Sequence, residues 1–212
     1  RKWHQTKLNN QDTFLKNSDK NIQRQSSYNQ LNLTGKLRYQ PSQNINLTYT
    51  VQYANTSNVP RYDRLTEEIA SEPRYAEWYY GPQLWFNTNL SANFEIKNDA
   101  WDRVRTVIGY QKFRESRNDR KYKSNNLRSR SEEVDAFSLN FDFDKKINKK
   151  HSLFYGLEGV YNDISSTGKI TDISNNTETP TSTRYPDGGS YWLNAAAYLT
   201  WDWILSKKVK LS

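Results

Sequence analysis

Along most of this chain polar and apolar residues alternate. Between 45 and 53, Ile45, Leu47, Tyr49, Val51 and Tyr53 fill one set of positions, and Asn46, Thr48, Thr50 and Gln52 fill the other. A period of two sends the two sets to opposite faces of a β-strand. The same alternation predicts strands over about 28–40, 45–56, 78–96, 102–115, 134–144, 151–163 and 190–203. Parity assigns Leu31, Leu47, Tyr49, Phe86, Leu90, Ile108, Leu139, Phe141, Leu157 and Leu199 to one face, and Asn32, Thr48, Asn89, Asn140 and Glu158 to the other. A bulge that flips parity is expected near Gly81-Pro82 or Gly109.

The connections alternate in length. Pro41–Asn44, Lys97–Trp101, Lys145–Lys150 and Ser206–Lys208 are short. Ser57–Glu77, Ser116–Glu133 and Ile164–Gly189 are long and read as solvated loops. Each strand exceeds the roughly 9–11 residues that a tilted membrane strand needs. Aromatic residues gather near strand ends, with Tyr53, Trp78, Tyr161 and Tyr191 toward the long loops and Phe94, Phe143, Trp201 and Trp203 toward the short turns. Together these features predict an all-β fold, a transmembrane antiparallel up-and-down β-barrel segment of about seven to eight strands. No helix is expected within 28–203. The short turns would be periplasmic, the long loops extracellular and the polar face would line a wet lumen. A soluble β-sandwich also alternates, but its strands average about 5–6 residues and its inner face favours Val and Ile.

Composition sharpens this picture. Only 34% of residues are hydrophobic, the net charge is +8 and the mean hydropathy is −1.04, values that normally accompany disorder. Yet 14% of residues are aromatic, including 7 Trp and 15 Tyr. A barrel wall reconciles the two, because it needs apolar residues on one face only. No run of about 18 apolar residues marks a transmembrane helix. The basic residues sit largely in the predicted loops, as at Arg114, Arg117, Arg120, Lys121, Lys123, Arg128 and Arg130. There they would meet anionic lipopolysaccharide headgroups. No nucleic-acid motif accompanies them, so nucleic acid is not an expected partner. The chain opens at Arg1, contains no Met and resumes its alternation at 209–211. It is expected to be an internal piece of a longer protein, with 1–27 a preceding extracellular loop or strand region and 28–212 part of the barrel.

Candidate chemistry is sparse. Cys is absent, and the two His, His4 and His151, have no metal-ligand spacing. No nucleophile context surrounds any Ser, so no enzymatic activity and no cofactor are expected. Asn32-Leu-Thr34, Asn46-Leu-Thr48 and Asn89-Leu-Ser91 match glycosylation sequons, but alternating small polar and apolar residues produce such triplets by themselves. Glu115, Asp142, Asp144 and Glu158 point inward by parity, where they would pair with Arg38, Arg103 and Arg105 or help to hold a plug. For ligand contact the candidates are Arg61, Tyr62, Arg64, Trp85, Arg184, Tyr185 and Trp192, near the long-loop ends. Arg can grip anionic groups, and aromatic rings can stack on flat ligands or sugars. The structural alternative for each is packing among the loops.

The strings VPRYDRLTE (59–67), AEWYYGPQLW (76–85), FYGLEGVYND (154–163) and RYPDGGS (184–190), in this order, resemble the barrel of TonB-dependent outer-membrane receptors, particularly a Bacteroidetes group. The resemblance covers nearly all of 28–212. It implies a 22-stranded barrel in the cell outer membrane, filled by an N-terminal plug that lies outside this chain. It implies active uptake of a scarce nutrient, such as an iron chelate, cobalamin or a glycan, with the TonB complex acting through the plug and a surface lipoprotein as a possible partner. Haem is not supported by the two His of this chain. The alternatives are a passive porin or secretion channel and a soluble carbohydrate-binding β-protein.

Overall fold

The computed structural model describes residues 3–8, 11–186 and 189–212. In chain order the strands are β1 (Trp3–Leu8), β2 (Gln11–Lys16), β3 (Gln30–Ser42), β4 (Ile45–Thr56) and β5 (Val59–Pro60). A single helical turn α1 (Tyr62–Leu65) follows, then β6 (Glu68–Ile69), β7 (Glu72–Pro73), β8 (Tyr75–Tyr80), β9 (Leu84–Phe94), β10 (Arg103–Lys121) and β11 (Asn126–Lys146). The chain continues through β12 (His151–Asp172), β13 (Thr177–Pro180), β14 (Ser190–Ser206) and β15 (Val209–Leu211). The wall is one antiparallel meander, β3-β4-β9-β10-β11-β12-β14-β15, with β5, β8 and β13 paired beside it. This is the wall of an up-and-down β-barrel.

Register fixes the faces, because directly paired residues of an antiparallel ladder point the same way. Tyr49, Leu90, Ile108, Leu139, Gly159 and Ala195 form one unbroken outward row from β4 to β14. Two residues further along each strand the row again keeps to one face. The outward side chains are exposed, Leu37 at 67% and Leu199 at 69%, as expected of a surface made for lipid rather than water. The inward face holds Thr48, Ser91, Asn140 and Glu158 in one row, and Asn46, Asn93, Arg105 and Asp142 in the next. Tyr198 leans over Gly156 so that its hydroxyl donates to Asp142 at 2.8 Å. A Cβ at Gly156 would collide with that ring and with the Phe141 carbonyl, so this site needs glycine.

Several sequence expectations need correction. The stretch 116–133 is no loop: β10 and β11 run 19 and 21 residues, turning only at 122–125. Likewise β12 extends 22 residues to Asp172 and pairs there with β13, so much of 164–189 is strand. At about 3.3 Å per residue β12 is roughly 70 Å long, over twice the hydrocarbon thickness of about 30 Å. These strands therefore continue well past the membrane. The segment 57–77 is not a bare solvated cap. It folds α1 onto β8 around a small core of Leu65, Tyr75 and Ala76, so the expectation of no helix fails for one turn.

The predicted strand over 78–96 divides into β8 and β9. Arg114 pairs with Leu84, but Arg117 pairs with Tyr80, a slip of one residue across Gly81–Gln83. Even-numbered residues face outward in β9 and inward in β8, which is the parity flip expected at Gly81-Pro82. Trp78 consequently faces inward and is not part of an outer girdle. Gly81 has φ +107°, a conformation that favours glycine, and its carbonyl accepts from the Ser116 hydroxyl at 2.6 Å. At Gly109, by contrast, the ladder is regular on both sides. Within the region 1–27, β1 and β2 form a separate hairpin, while positions 1, 2, 9 and 10 lie outside the described residues, as do Asp187 and Gly188 of the RYPDGGS string.

Candidate functional site

Above Tyr110, Phe137 and Tyr161 the two faces exchange character without any change of register. The outward positions become Lys112, Arg114, Glu133, Asp135 and Asp163. Lys112 forms ion pairs with Glu133 and Asp135 there. The inward positions of the same tier become Ala54, Trp85, Phe113, Val134 and Ile164, an apolar shelf crossing five strands. Apolar outward residues suit lipid, and charged ones suit water, so this line marks where the wall leaves the membrane.

One tier toward the membrane lies a row of uncharged polar groups, Gln52, Asn87, Gln111 and Asn162, ending at Trp192. Asn87 donates to Gln52 at 2.9 Å and the Trp85 indole N–H donates to Gln111 at 3.4 Å. One tier outward from the shelf, Glu115, Glu132 and Ser166 lie side by side. Arg117 and Arg184 both stand 3.7 Å from the same oxygen of Glu115. Glu132 is 5% exposed and its Oε2 has no hydrogen-bond partner. Burial pushes the Glu132 carboxyl above its ordinary range, against the pull of the Arg117 and Arg130 charges. The cover is the segment 181–186. Its Thr181 N–H donates to Gly168, and Arg130 donates to the Ser182 carbonyl at 2.8 Å and to its hydroxyl at 3.0 Å. A Cβ at Gly168 would sit 2.6 Å from the Thr181 carbonyl oxygen, so the cover lies directly on the strand.

The structure sorts the seven predicted ligand residues into three settings. Arg61 and Arg64 lie over the Trp78 ring, at 5.2 and 5.9 Å, and Arg61 also lies over Tyr80 at 5.5 Å. Their tips are occupied: Arg61 grips Asp63 through two hydrogen bonds of 2.8 and 2.6 Å, and Arg64 donates to Glu67 at 2.5 Å. The Arg61 hydrogen bonds hold the Asp63 carboxyl down at about 2. Tyr62 opens α1 beside them and is half-buried. Arg61 and Arg64 thereby tie the α1 turn to β8 within the 59–80 excursion. Trp85 and Trp192 both lie on the inward face, and Trp192 is 52% exposed. Arg184 and Tyr185 belong to the covering segment, where the Tyr185 carbonyl accepts from the Thr183 hydroxyl. Glu115 links the settings, since Arg184 approaches it from the cover and Arg117 from the wall beside Tyr80.

Residues not singled out for this region include Phe113, Val134, Glu132 and Ser166. Their signal was present as Lys112-Phe113-Arg114 and Glu133-Val134-Asp135, apolar residues at inward parity between charges at outward parity. Of the four inward carboxylates, Asp144 pairs with Arg103 and Glu115 sits between Arg117 and Arg184. Arg38 instead donates to Asn46 at 3.1 Å. Among the described residues no group of three or more His, Cys, Asp or Glu could hold a metal ion. The inward face offers flat apolar surface, amide donors and acceptors, and flanking charge.

No family model and no curated protein matches the sequence. Among solved structures the chain is similar to one named Copper transporter OprC, with a TM-score of 0.63 at 9% identity, covering 86% of this chain and 27% of that one. The likeness is one of fold, and the chain spans only about a quarter of that protein's length.

Proposed function

We propose that this chain is a wall segment of an outer-membrane, TonB-dependent receptor that imports a scarce nutrient. The observation that carries the reading is the exchange of faces across Tyr110, Phe137 and Tyr161. Below that line the outer surface is built for lipid, and above it the same strands rise into water as a tall extracellular collar. A collar whose inner side presents Trp85, Phe113 and Trp192 suits capture of a ligand before passage through the barrel. The resemblance of the four boundary strings to TonB-dependent receptors, and the fold shared with a protein named as a copper transporter, support the same reading. Under it the plug and the TonB contact lie in other parts of the protein, and lipopolysaccharide surrounds the charged outward positions.

Labelled iron chelates, cobalamin and oligosaccharides should be offered to cells carrying the full-length receptor, with and without TonB. Uptake of at least one class that vanishes without TonB is the expected result. Uptake that persists undiminished would replace the active receptor with a passive channel.

A further inference from the structure

At the short-turn end two turns carry positive charge without a matching acid. The turn between β11 and β12 reads Lys145-Lys146-Ile147-Asn148-Lys149-Lys150, and the turn between β14 and β15 adds Lys207 and Lys208. Lys145 is held by Asp102. Lys146, Lys149, Lys150, Lys207 and Lys208 are exposed, and no ion pair among the described residues engages them. The two turns are neighbours. The Ile204 N–H donates to the Lys150 carbonyl at 2.8 Å, and two strand spacings put the hairpins about 10 Å apart. Each turn is fixed by its own side chains. The Asn148 side-chain oxygen accepts from the Lys150 and His151 amides at 2.8 and 3.1 Å, and the Ser206 hydroxyl accepts from the Lys208 amide at 3.2 Å. The long-loop end differs, because Lys112 there is tied to Glu133 and Asp135.

On the membrane side of these turns the outward face is aromatic. His151 is paired across the ladder with Trp203, and Leu153 with Trp201. The Trp201 and Trp203 rings stack 2° from parallel, and His151 lies 5.5 and 5.6 Å from them. Both indoles keep exposed surface, 53% and 37%. The Trp201 N–H donates to His151 Nδ1 at 3.2 Å, which leaves Nε2 as that ring's donor, without a partner among the described residues. Amphipathic rings of this kind settle at the boundary between acyl chains and headgroups. Rings on the lipid side with free ammonium groups just beyond them match a molecule that joins acyl chains to an anion. A soluble polyanion would meet the lysines and leave the rings unused.

We propose that this rim, the 145–150 and 206–208 turns with His151, Trp201 and Trp203, binds the headgroup of an anionic phospholipid and so selects the lipid beside this part of the wall. The phosphate is attracted by Lys149, Lys150, Lys207 and Lys208, whose pull on an anionic membrane surface adds lysine by lysine. The acyl chains lie against the outward run that ends in Leu199, Trp201 and Trp203. The inference rests on the outer-membrane reading only for placing these turns at a membrane edge. It holds equally for an active receptor and for a passive channel.

Full-length protein with Leu199→Cys, labelled there with bimane, should be reconstituted into vesicles of phosphatidylcholine and phosphatidylglycerol, with bromine on the acyl chains of one lipid at a time. Brominated phosphatidylglycerol is expected to quench about fivefold more effectively than brominated phosphatidylcholine, the factor that one lysine's attraction supplies. The combined changes Lys149→Gln, Lys150→Gln, Lys207→Gln and Lys208→Gln should bring the two lipids to parity. The same four positions changed to Arg should retain the excess, which separates charge from folding. A label at Phe137→Cys, near the long-loop line, should report no excess. Parity at 199 in the unchanged rim, an equal excess at 137, an excess that survives the glutamine changes, or its loss in the arginine variant would overturn the proposal. So would an excess abolished by sodium phosphate but not by sodium chloride of the same ionic strength, because the turns would then hold free phosphate instead of a lipid. The vesicles contain no TonB, so this outcome is separate from that of the uptake experiment.

Discussion

Below Tyr110, Phe137 and Tyr161 the outward side chains of β10, β11 and β12 include Ile108, Leu139 and Leu157; above them come Lys112, Asp135 and Asp163. The strands are the same and the ladder does not slip, yet the two stretches are stabilised differently. The membrane stretch relies on lipid to cover its apolar face, and its inward polar groups can meet water. The collar has water outside, so at the membrane exit it turns one apolar tier inward, and it ties its outer surface with ions. Arg120 shows how far this goes. It is 2% exposed, grips Asp12 of β2 through two hydrogen bonds of 2.9 and 2.8 Å, and donates to Glu77 at 2.6 Å. The Lys123 N–H adds a bond of 2.7 Å to the same aspartate. In this way the β1–β2 hairpin is pinned to the tip of the β10–β11 hairpin. Burial opposes ionisation of Asp12, but Arg120 and the Lys123 amide outweigh it and hold the carboxyl below the usual aspartate range.

This comparison can be broken most forcefully at Arg120. Arg120→Met should release the β1–β2 hairpin, because one partner of a buried ion pair is left behind, at a local cost of about 3–5 kcal/mol. Amide hydrogen exchange should rise sharply across 3–16 while the barrel still assembles. Loss of the whole barrel would mean that the collar and the membrane stretch are one cooperative unit.

A smaller effect, but on the other stretch, is expected of Leu199→Arg. A charge facing lipid near the middle of the outward run 193–203 costs about 2–4 kcal/mol. Outer-membrane yield of the heat-modifiable protein should fall. The matching change in the collar, Ser131→Arg at an outward position above the line, should leave that yield within error.

Gly156→Val tests the inward side of the membrane stretch. Its side chain must displace the Tyr198 ring, and overpacking of this kind costs about 1–3 kcal/mol. The midpoint of denaturant unfolding should drop, whereas Gly35→Val, where a Cβ meets nothing within 4 Å, should not lower it in the same way.

The smallest effects are those of pH, and they have opposite signs at two places in the collar. Asp12 has a depressed folded pKa, so its contribution is present above the unfolded aspartate value and fades as pH falls through the lower folded value. Glu132 has a raised folded pKa, so its protonated form favours the folded collar. That advantage is present below the unfolded glutamate value and is lost as pH rises through the higher folded value. Mild acid should therefore tighten the 181–186 cover first, and stronger acid should then loosen the β1–β2 hairpin. Hydrogen exchange followed segment by segment across the acid range checks the order.

The membrane stretch was legible in the sequence because a single solvent, lipid, forces one face to be apolar over consecutive residues. Leu193, Ala195, Ala197, Leu199, Trp201 and Trp203 could hardly be read otherwise. The collar was not, since its charged outward residues look like loop residues when the reader assumes that every strand must show lipid-facing side chains. Lys112, Arg114, Glu133 and Asp135 interrupt the expected pattern although the alternation itself continues. The flip at Gly81-Pro82 was visible from the two residues that interrupt a strand, but its consequence, Trp78 turning inward to meet Arg61 and Arg64, depends on the register of β8 with β10. For the candidate site, residue type alone singled out Trp85 and Trp192, which the register places on the inward face. It grouped them with Arg61 and Arg64, whose charges are already held by Asp63 and Glu67. Distinguishing an available guanidinium from an occupied one requires knowing its neighbours in space.

The exchange of faces can be read directly from single cysteines placed along β11, since this chain has none of its own. Positions 131, 133, 134, 137, 138, 139, 140 and 141 of the full-length protein, in its membrane, would each carry a bimane label. Brominated lipid should quench the label at 137, 139 and 141 only, and aqueous iodide should quench it at 131 and 133. Lipid quenching at 138 or 140, or equal lipid quenching at 133 and 139, would contradict the account.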